Sequence, residues 1–250
     1  MLSQANSHSA QPIEGPLIVI KADDLLYRED GTIFGQNWLQ FIEIAQEKGI
    51  KISIGIICHS LENAQLEYFE KIRALHAAGQ IEFWNHGITH RRDQESGQSE
   101  FKGASMDSQL DTLVRAQALA VEKLGFSFTS FGSPYNHFDQ NTAAALRAVP
   151  ELKTWLYGDE QAQLVPGQVV LGRSILLEQP VHHPNFENFV RDFEASPDRP
   201  YYILQAHPGG WDRERFEQFL QVIQYLQAKK ATFMLPRELR NQLISAETGD

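Results

Sequence analysis

Short runs of apolar, mostly β-branched residues recur along the chain and alternate with longer stretches in which apolar residues return every three or four positions. The first pattern is that of buried strands, the second that of amphipathic helices. Strands are expected at residues 17–21, 51–58, 81–85, 128–132, 154–157, 169–177, 201–206 and 232–235. Helices are expected at 36–48, 61–78, 108–124, 140–148, 185–195, 213–229 and 237–245. Trp38, Phe41, Ile42 and Ala45 mark one buried helix face, and Gly49 and Gly79 stand where two helices can stop. About seven or eight strand–helix repeats give an α/β fold, either a barrel or a doubly wound sheet, and the pattern alone does not choose.

Residues 91–106 are polar and contain Gly without an apolar period, so they read as a long surface loop. No Gly/Ser-rich or Pro-rich linker interrupts the chain, so one domain is expected over 13–246, with flexible termini at 1–12 and 247–250. The 250 residues are 42% hydrophobic and 22% charged, a composition that can bury a sizeable core. A net charge of -10 with scattered Lys and Arg disfavours a nucleic-acid partner. Cys58 is the sole cysteine, which removes disulfides and thiolate zinc sites, so any metal must be held by His and carboxylate. No window is apolar enough to span a membrane, and the first 15 residues lack the basic start and apolar core of a signal peptide, so the cytoplasm is the expected compartment.

Three polar groups stand at the ends of expected strands. Asp23-Asp24 follows the run Leu17 to Ile20, and adjacent side chains there point different ways, so one carboxylate can bind a metal while the other faces a water. A turn or helix cap is the competing reading. His86 and His90 follow the strand Ile81 to Asn85, and on a helix residues four apart share a face and can reach one ion. His207 ends an apolar strand and is followed by Pro208-Gly209-Gly210, an abrupt turn that leaves an imidazole able to donate a proton. A structural hydrogen bond is the bland alternative. The shared location makes the three signals one candidate site, because strand ends in a parallel sheet converge on one face.

The order Asp-Asp, His-x-x-x-His, Pro-Tyr and a strand ending in His, over roughly Leu17 to Trp211, resembles the polysaccharide deacetylase superfamily of carbohydrate esterases. That resemblance implies a distorted (β/α) barrel of about seven strands. It implies Asp24, His86 and His90 as metal ligands, Asp23 as general base, Tyr135 as the donor whose backbone N–H holds the oxyanion, and His207 as the acid. Pro134, Asn136, Trp155 and Trp211 are the candidate substrate contacts. The sequence departs from the family where Lys21-Ala22 replaces the usual Thr-Phe and Gly132 stands at the place of the usual Arg. Another group must then orient Asp23, with Lys21 and Arg173 as candidates.

The expected activity is therefore a metal-dependent deacetylase acting on an amino sugar in a cytoplasmic precursor of a surface polysaccharide. The substrate is a small molecule or glycan. Zinc is the first choice of ion, and the ligand set also accepts cobalt, nickel or iron. The alternatives are a silent carbohydrate-binding protein on the same fold and a metal hydrolase of a non-sugar amide. His182-His183, between Pro180 and Pro184, reads as a surface or substrate contact, and Cys58 as a small apolar filler.

Overall fold

The computed structural model describes residues 15–248 apart from Glu29 and Gly31. β1 (Leu17–Leu25), β2 (Ile52–Ile56), β3 (Ile81–Asn85), β4 (Ser130–Phe131), β5 (Thr154–Leu156), β6 (Val169–Leu171) and β7 (Tyr202–Ala206) form a parallel sheet in the order β6-β5-β4-β3-β2-β1-β7. β8 (Thr232–Phe233) pairs with the start of β1. The helices are α1 (Gln36–Glu47), α2 (Ser60–Asn63), α3 (Leu66–Ala77), α4 (Met106–Leu124), α5 (Gln140–Arg147), α6 (Phe186–Glu194), α7 (Arg213–Ala228) and α8 (Pro236–Thr248). The sheet curls into a distorted α/β barrel. Side chains bridge its two ends: the Ser174 hydroxyl donates to the Ile203 carbonyl (3.2 Å) and accepts from the Ile203 N–H (2.9 Å), and the Tyr157 hydroxyl donates to the same carbonyl (2.8 Å).

Local chemistry sets the element ends. Gly49 and Gly79 are left-handed (φ 63° and 77°), as helix termination there requires. The Ser105 side chain accepts from the Ser108 N–H at the start of α4, and Asp139 and Thr142 form a reciprocal capping box on α5. The helix expected over 61–78 breaks into α2 and α3, because Ala64 and Gln65 are extended (ψ 156° at both). α8 continues to Thr248, past the expected end, while residues 1–14 and 249–250 lie outside the described residues. No described helix is long and apolar enough to cross a membrane.

The period of two in a strand divides each one between two environments. Ile18, Ile20 and Ala22 of β1, Phe83 of β3, Phe131 of β4, Trp155 of β5 and Leu204 of β7 pack outward against the helices. Leu17 and Val19, Trp84, Leu156, Leu171 and Ile203 form a second apolar cluster inside the barrel, closed at its lower end by Leu239 of α8. Buried Glu82 of β3 accepts from the Arg237 N–H near the start of α8 (3.0 Å), which fixes that helix beneath the barrel. The inward positions continue upward as Lys21 and Asp23, Trp84 and His86, Gln205 and His207. The polar residues at the strand ends thus stand on one interior face, over an apolar floor.

Candidate active site

A β-bulge places the two adjacent carboxylates. Ala22 pairs with Ile54 and Leu25 with Ile56, so Asp23 and Asp24 together oppose the single residue Gly55. Asp24 is left-handed (φ 74°), which turns its side chain to a different part of the strand end from that of Asp23. Five other non-glycine residues with positive φ, His90, Tyr135, Asn136, Tyr157 and His182, gather at the same edge, while Lys230 lies apart between α7 and β8. Such residues cost of order 1–3 kcal/mol each and collect where function fixes the backbone.

Asp24 Oδ1 lies 3.0 Å from Nε2 of both His86 and His90, and the three side chains form a group able to hold a metal ion. The expected helix between the two histidines does not form. Gly87 (φ 73°) and His90 (φ 54°) are left-handed, and the loop is pinned by Cys58 N–H to Gly87 O (2.9 Å), His59 N–H to Ile88 O (2.9 Å) and Thr89 N–H to Glu100 (2.6 Å). The loop brings the two imidazoles together, with ring centroids 5.1 Å apart. His86 Nδ1–H donates to the Gly132 carbonyl at 2.7 Å, which leaves Nε2 facing Asp24. A lone pair against a carboxylate oxygen at that range needs a cation, either a proton on the ring or a divalent ion between them. Ligand bonds of about 2.0–2.2 Å at ordinary coordination angles place neighbouring donor atoms about 3.0–3.5 Å apart, so this set fits such an ion. Burial would raise the Asp24 carboxyl, but the His86 and His90 hydrogen bonds outweigh it and hold it well below the usual carboxylate range.

His207 lies on the other side of Asp23, with Nε2 3.9 Å from Asp23 Oδ2, while His86 Nε2 is 3.8 Å from the same oxygen. Its partner is Glu178, a buried residue to which the sequence analysis gave no role. Glu178 Oε2 accepts from His207 Nδ1–H (2.6 Å) and the His182 N–H (3.0 Å). Its Oε1 accepts from the His207 N–H and Trp211 Nε1–H, each at 2.8 Å. Burial lowers the His207 pKa, but the Glu178 bond and the Asp23 and Asp24 charges outweigh it and raise the group above its ordinary value. The signal was present in the sequence: Glu178 is an acid that directly follows an apolar run, Ile175 to Leu177.

Asp23 sits in a closed ring of side chains. Lys21 Nζ donates to both carboxylate oxygens (2.7 and 2.6 Å), Gln205 Nε2 donates to Oδ2 (2.7 Å), Asn136 Nδ2 donates to Gln205 Oε1 (3.1 Å), and Lys21 approaches Asn136 Oδ1 (3.4 Å). Of the two candidates for this contact, Lys21 makes it. The Arg173 guanidinium lies instead 5.6 Å from the Tyr157 ring centre.

Tyr135 is left-handed (φ 59°) in the turn beside the histidines, its hydroxyl donating to the His90 carbonyl (2.9 Å). Pro134 is buried beneath it, where a Cβ on Gly87 would come 2.7 Å from the proline ring. Trp155 and Trp211 were expected to meet substrate, and the structure places both in the core. Trp155 points to the helix side, 1% exposed and edge-on to Phe138, and Trp211, 2% exposed, packs on Phe41, Phe216 and Phe219. Neither offers a ring face to a ligand. The Cys58 thiol is buried, and desolvation pushes its pKa up, consistent with a filler. His182 does reach the site, its ring 4.7 Å from that of His207. A cleft of about 580 Å³ opens over Asp23, Asp24 and His207, walled by Leu26, Arg28, Asn37 and His182.

No family model matches the sequence, and no curated protein matches it. Solved structures match its fold. A putative polysaccharide deacetylase from Mycobacterium smegmatis superposes with a TM-score of 0.68 at 13% identity, over 95% of this chain and 93% of that one. A family 4 acetyl xylan esterase from Clostridium thermocellum, in complex with a cobalt ion, gives 0.62 at 13% identity over 90% and 91%. A carbohydrate esterase family 4 pseudoenzyme from Bacillus anthracis gives 0.58 at 12% identity over 89% of this chain and 65% of that one. At such identities the likeness carries the architecture alone: the chain shares its fold with these carbohydrate esterase family 4 and polysaccharide deacetylase structures.

Proposed function

We propose that the chain is a metal-dependent hydrolase that removes an acyl group, in the first instance acetyl, from an amino sugar. The observation that carries this reading is the convergence of two groups on Asp23 Oδ2: the Asp24–His86–His90 set on one side, with His86 Nε2 at 3.8 Å, and His207 on the other, with Nε2 at 3.9 Å. Asp24, His86 and His90 would hold the ion, with zinc the first choice. A bound divalent ion supplies Lewis acidity, polarising the acyl carbonyl and lowering the pKa of water.

The chain's own residues account for the remaining work. Asp23 takes a proton from the attacking water, and its lone pairs are aimed by Lys21 and Gln205. The Tyr135 backbone N–H donates to the oxygen on which negative charge develops, with Pro134 fixing the turn that carries it. His207, whose imidazolium form the Glu178 carboxylate favours, gives its Nε2 proton to the sugar nitrogen as the C–N bond breaks. Asn136 borders the reacting centre through its bond to Gln205. A nucleotide- or lipid-linked amino sugar is the proposed substrate class, since the cleft suits a small ligand and Arg28 in its wall suits a phosphate.

The test is release of the acyl group, as acetate from UDP-N-acetylglucosamine and N-acetylglucosamine oligomers and as formate from an N-formyl amide, with metal content measured on the same protein, for wild type and Asp23→Asn. Release that depends on metal and disappears in Asp23→Asn is expected. Metal-free protein with undiminished turnover, or an Asp23→Asn variant as active as wild type, would sink the reading. A silent carbohydrate-binding protein is the second reading, favoured by Gly132 at the usual arginine position; sugar binding without release of any acyl group would select it.

A further inference from the structure

Asp23 is 2% exposed, and a buried carboxylate needs a partner of opposite charge or must take up a proton. The partner comes from its own strand. Lys21 lies two residues earlier on the inner face of β1, is 0% exposed, and reaches both oxygens of Asp23. Its ammonium is boxed by aromatic faces, with the Trp84 ring centre at 4.9 Å and the Tyr157 ring centre at 5.1 Å. The slot therefore holds the ammonium on one heading, toward Asp23.

Gly132 belongs to the same device. A Cβ there would come 2.9 Å from the Trp84 ring and 3.2 Å from Lys21 Cε, so any side chain at 132 would enter space that Trp84 and Lys21 already fill. Gly55, opposite the bulge, yields to the same indole, since its Cβ would lie 2.4 Å from the ring. A cation delivered from position 132 and a cation delivered from position 21 are thus alternative occupants of one space.

A buried ion pair adds little net stability over apolar residues of the same size, so its contribution here is to geometry. We propose that Lys21 is the positioning residue of Asp23: it rises from the barrel floor through the space Gly132 leaves, and orients the carboxylate between His86 and His207. The proposal rests on Asp23 being the base of the hydrolysis. Lys21 touches neither substrate nor ion in this scheme and acts through Asp23 alone.

The test compares wild type, Lys21→Met, Lys21→Arg, Asp23→Asn and the double variant Lys21→Met/Asp23→Asn. Turnover is measured as acetate release from UDP-N-acetylglucosamine and penta-N-acetylchitopentaose, zinc affinity by titration, and Asp23 geometry by crystallography of Lys21→Met. Misplacing a reacting group by about 1 Å costs on the order of a hundredfold, so Lys21→Met is expected to lose about that much in kcat with little change in KM. Zinc affinity should be retained, the Asp23 carboxylate should be rotated in the crystal structure, and Lys21→Arg should recover about tenfold over Lys21→Met.

An Asp23 carboxylate that keeps its place without Lys21, or equal turnover in Lys21→Met and wild type, overturns the proposal. If Lys21→Met alone fails to fold while the double variant folds, the dependence of Asp23 on Lys21 is established; failure of both to fold makes Lys21 a packing residue and overturns it. Wild type inactive on every substrate would count against the deacetylase reading, while the carboxylate geometry in the crystal structure still decides the role of Lys21.

Discussion

Glu178→Gln removes one charge and almost no volume, yet it strikes four hydrogen bonds at once. Each carboxylate oxygen serves two N–H donors: Oε1 takes the His207 N–H and Trp211 Nε1–H, and Oε2 takes the His182 N–H and His207 Nδ1–H. A glutamine offers one oxygen and one NH2, so in either flip two donors face a donor. Hydrogen bonds to a charged partner contribute about 1.5–3 kcal/mol each, so losing two costs about 3–6 kcal/mol. His207 can relieve one conflict by moving its proton from Nδ1 to Nε2, which brings the floor down to about 1.5–3 kcal/mol. For a chain of this size each kcal/mol corresponds to about 2–4 °C in Tm, a shift that a calorimeter resolves.

The same substitution should change the pH profile in a direction fixed by the structure. With Glu178 present the His207 pKa lies above the ordinary histidine value, so the acid form persists to higher pH and the basic limb of kcat/KM should be set there. A group whose folded pKa is raised gives stability that is complete below its unfolded pKa and is lost as pH rises through the folded one. Glu178→Gln should therefore move the basic limb to lower pH, and its stability deficit should be larger in acid than in alkali. Turnover should fall by up to the roughly 10²–10⁴-fold that general acid catalysis provides. An unshifted limb, with stability equal to wild type, would refute the reasoning. Lost activity with an unshifted limb would mean that Glu178 acts through packing alone.

Zinc or cobalt should raise Tm, by the equivalent of about 2.7 kcal/mol at a hundredfold excess over Kd, and His86→Ala should abolish the shift; identical curves with and without metal would remove the ligand assignment. Gly55→Ala should destabilise by about 1–3 kcal/mol in urea unfolding, because its methyl group would be driven into the Trp84 ring, and an unchanged midpoint would show that the indole is free to move.

The fold was legible in outline because long-range burial leaves a local trace. Apolar runs such as Leu17 to Ile20 and Ile81 to Trp84 are buried on both faces, as strands of a parallel sheet covered by helices must be. That same double burial hides which face is which. Nothing local says that Trp155 points outward while Leu156 points in, so a tryptophan at a strand end was a candidate substrate contact and lies in the core. The choice between barrel and open sheet came from resemblance, since periodicity reports burial and not closure. The His86–His90 spacing suited a helix, yet the left-handed Gly87 produced a loop that brings the rings together by another route.

The site was legible in its upper layer and concealed in the one beneath. Asp23, Asp24, His86, His90 and His207 are polar residues after apolar runs, and that contrast is visible in one dimension. Their supports obey a rule that is also one-dimensional but easily missed: on a strand, the residue two positions earlier occupies the same face. Lys21 under Asp23, Trp84 under His86 and Gln205 under His207 follow from counting by two, although their contacts cross between strands. Supports of that kind change in sets, because a larger side chain on one strand requires a smaller one on the next, as Trp84 requires glycine at both 55 and 132. Catalytic residues can persist while the layer below is exchanged as a unit. This is how the order Asp-Asp, His-x-x-x-His and a strand ending in His can stand in this sequence above a layer built on Lys21, Trp84 and Gly132.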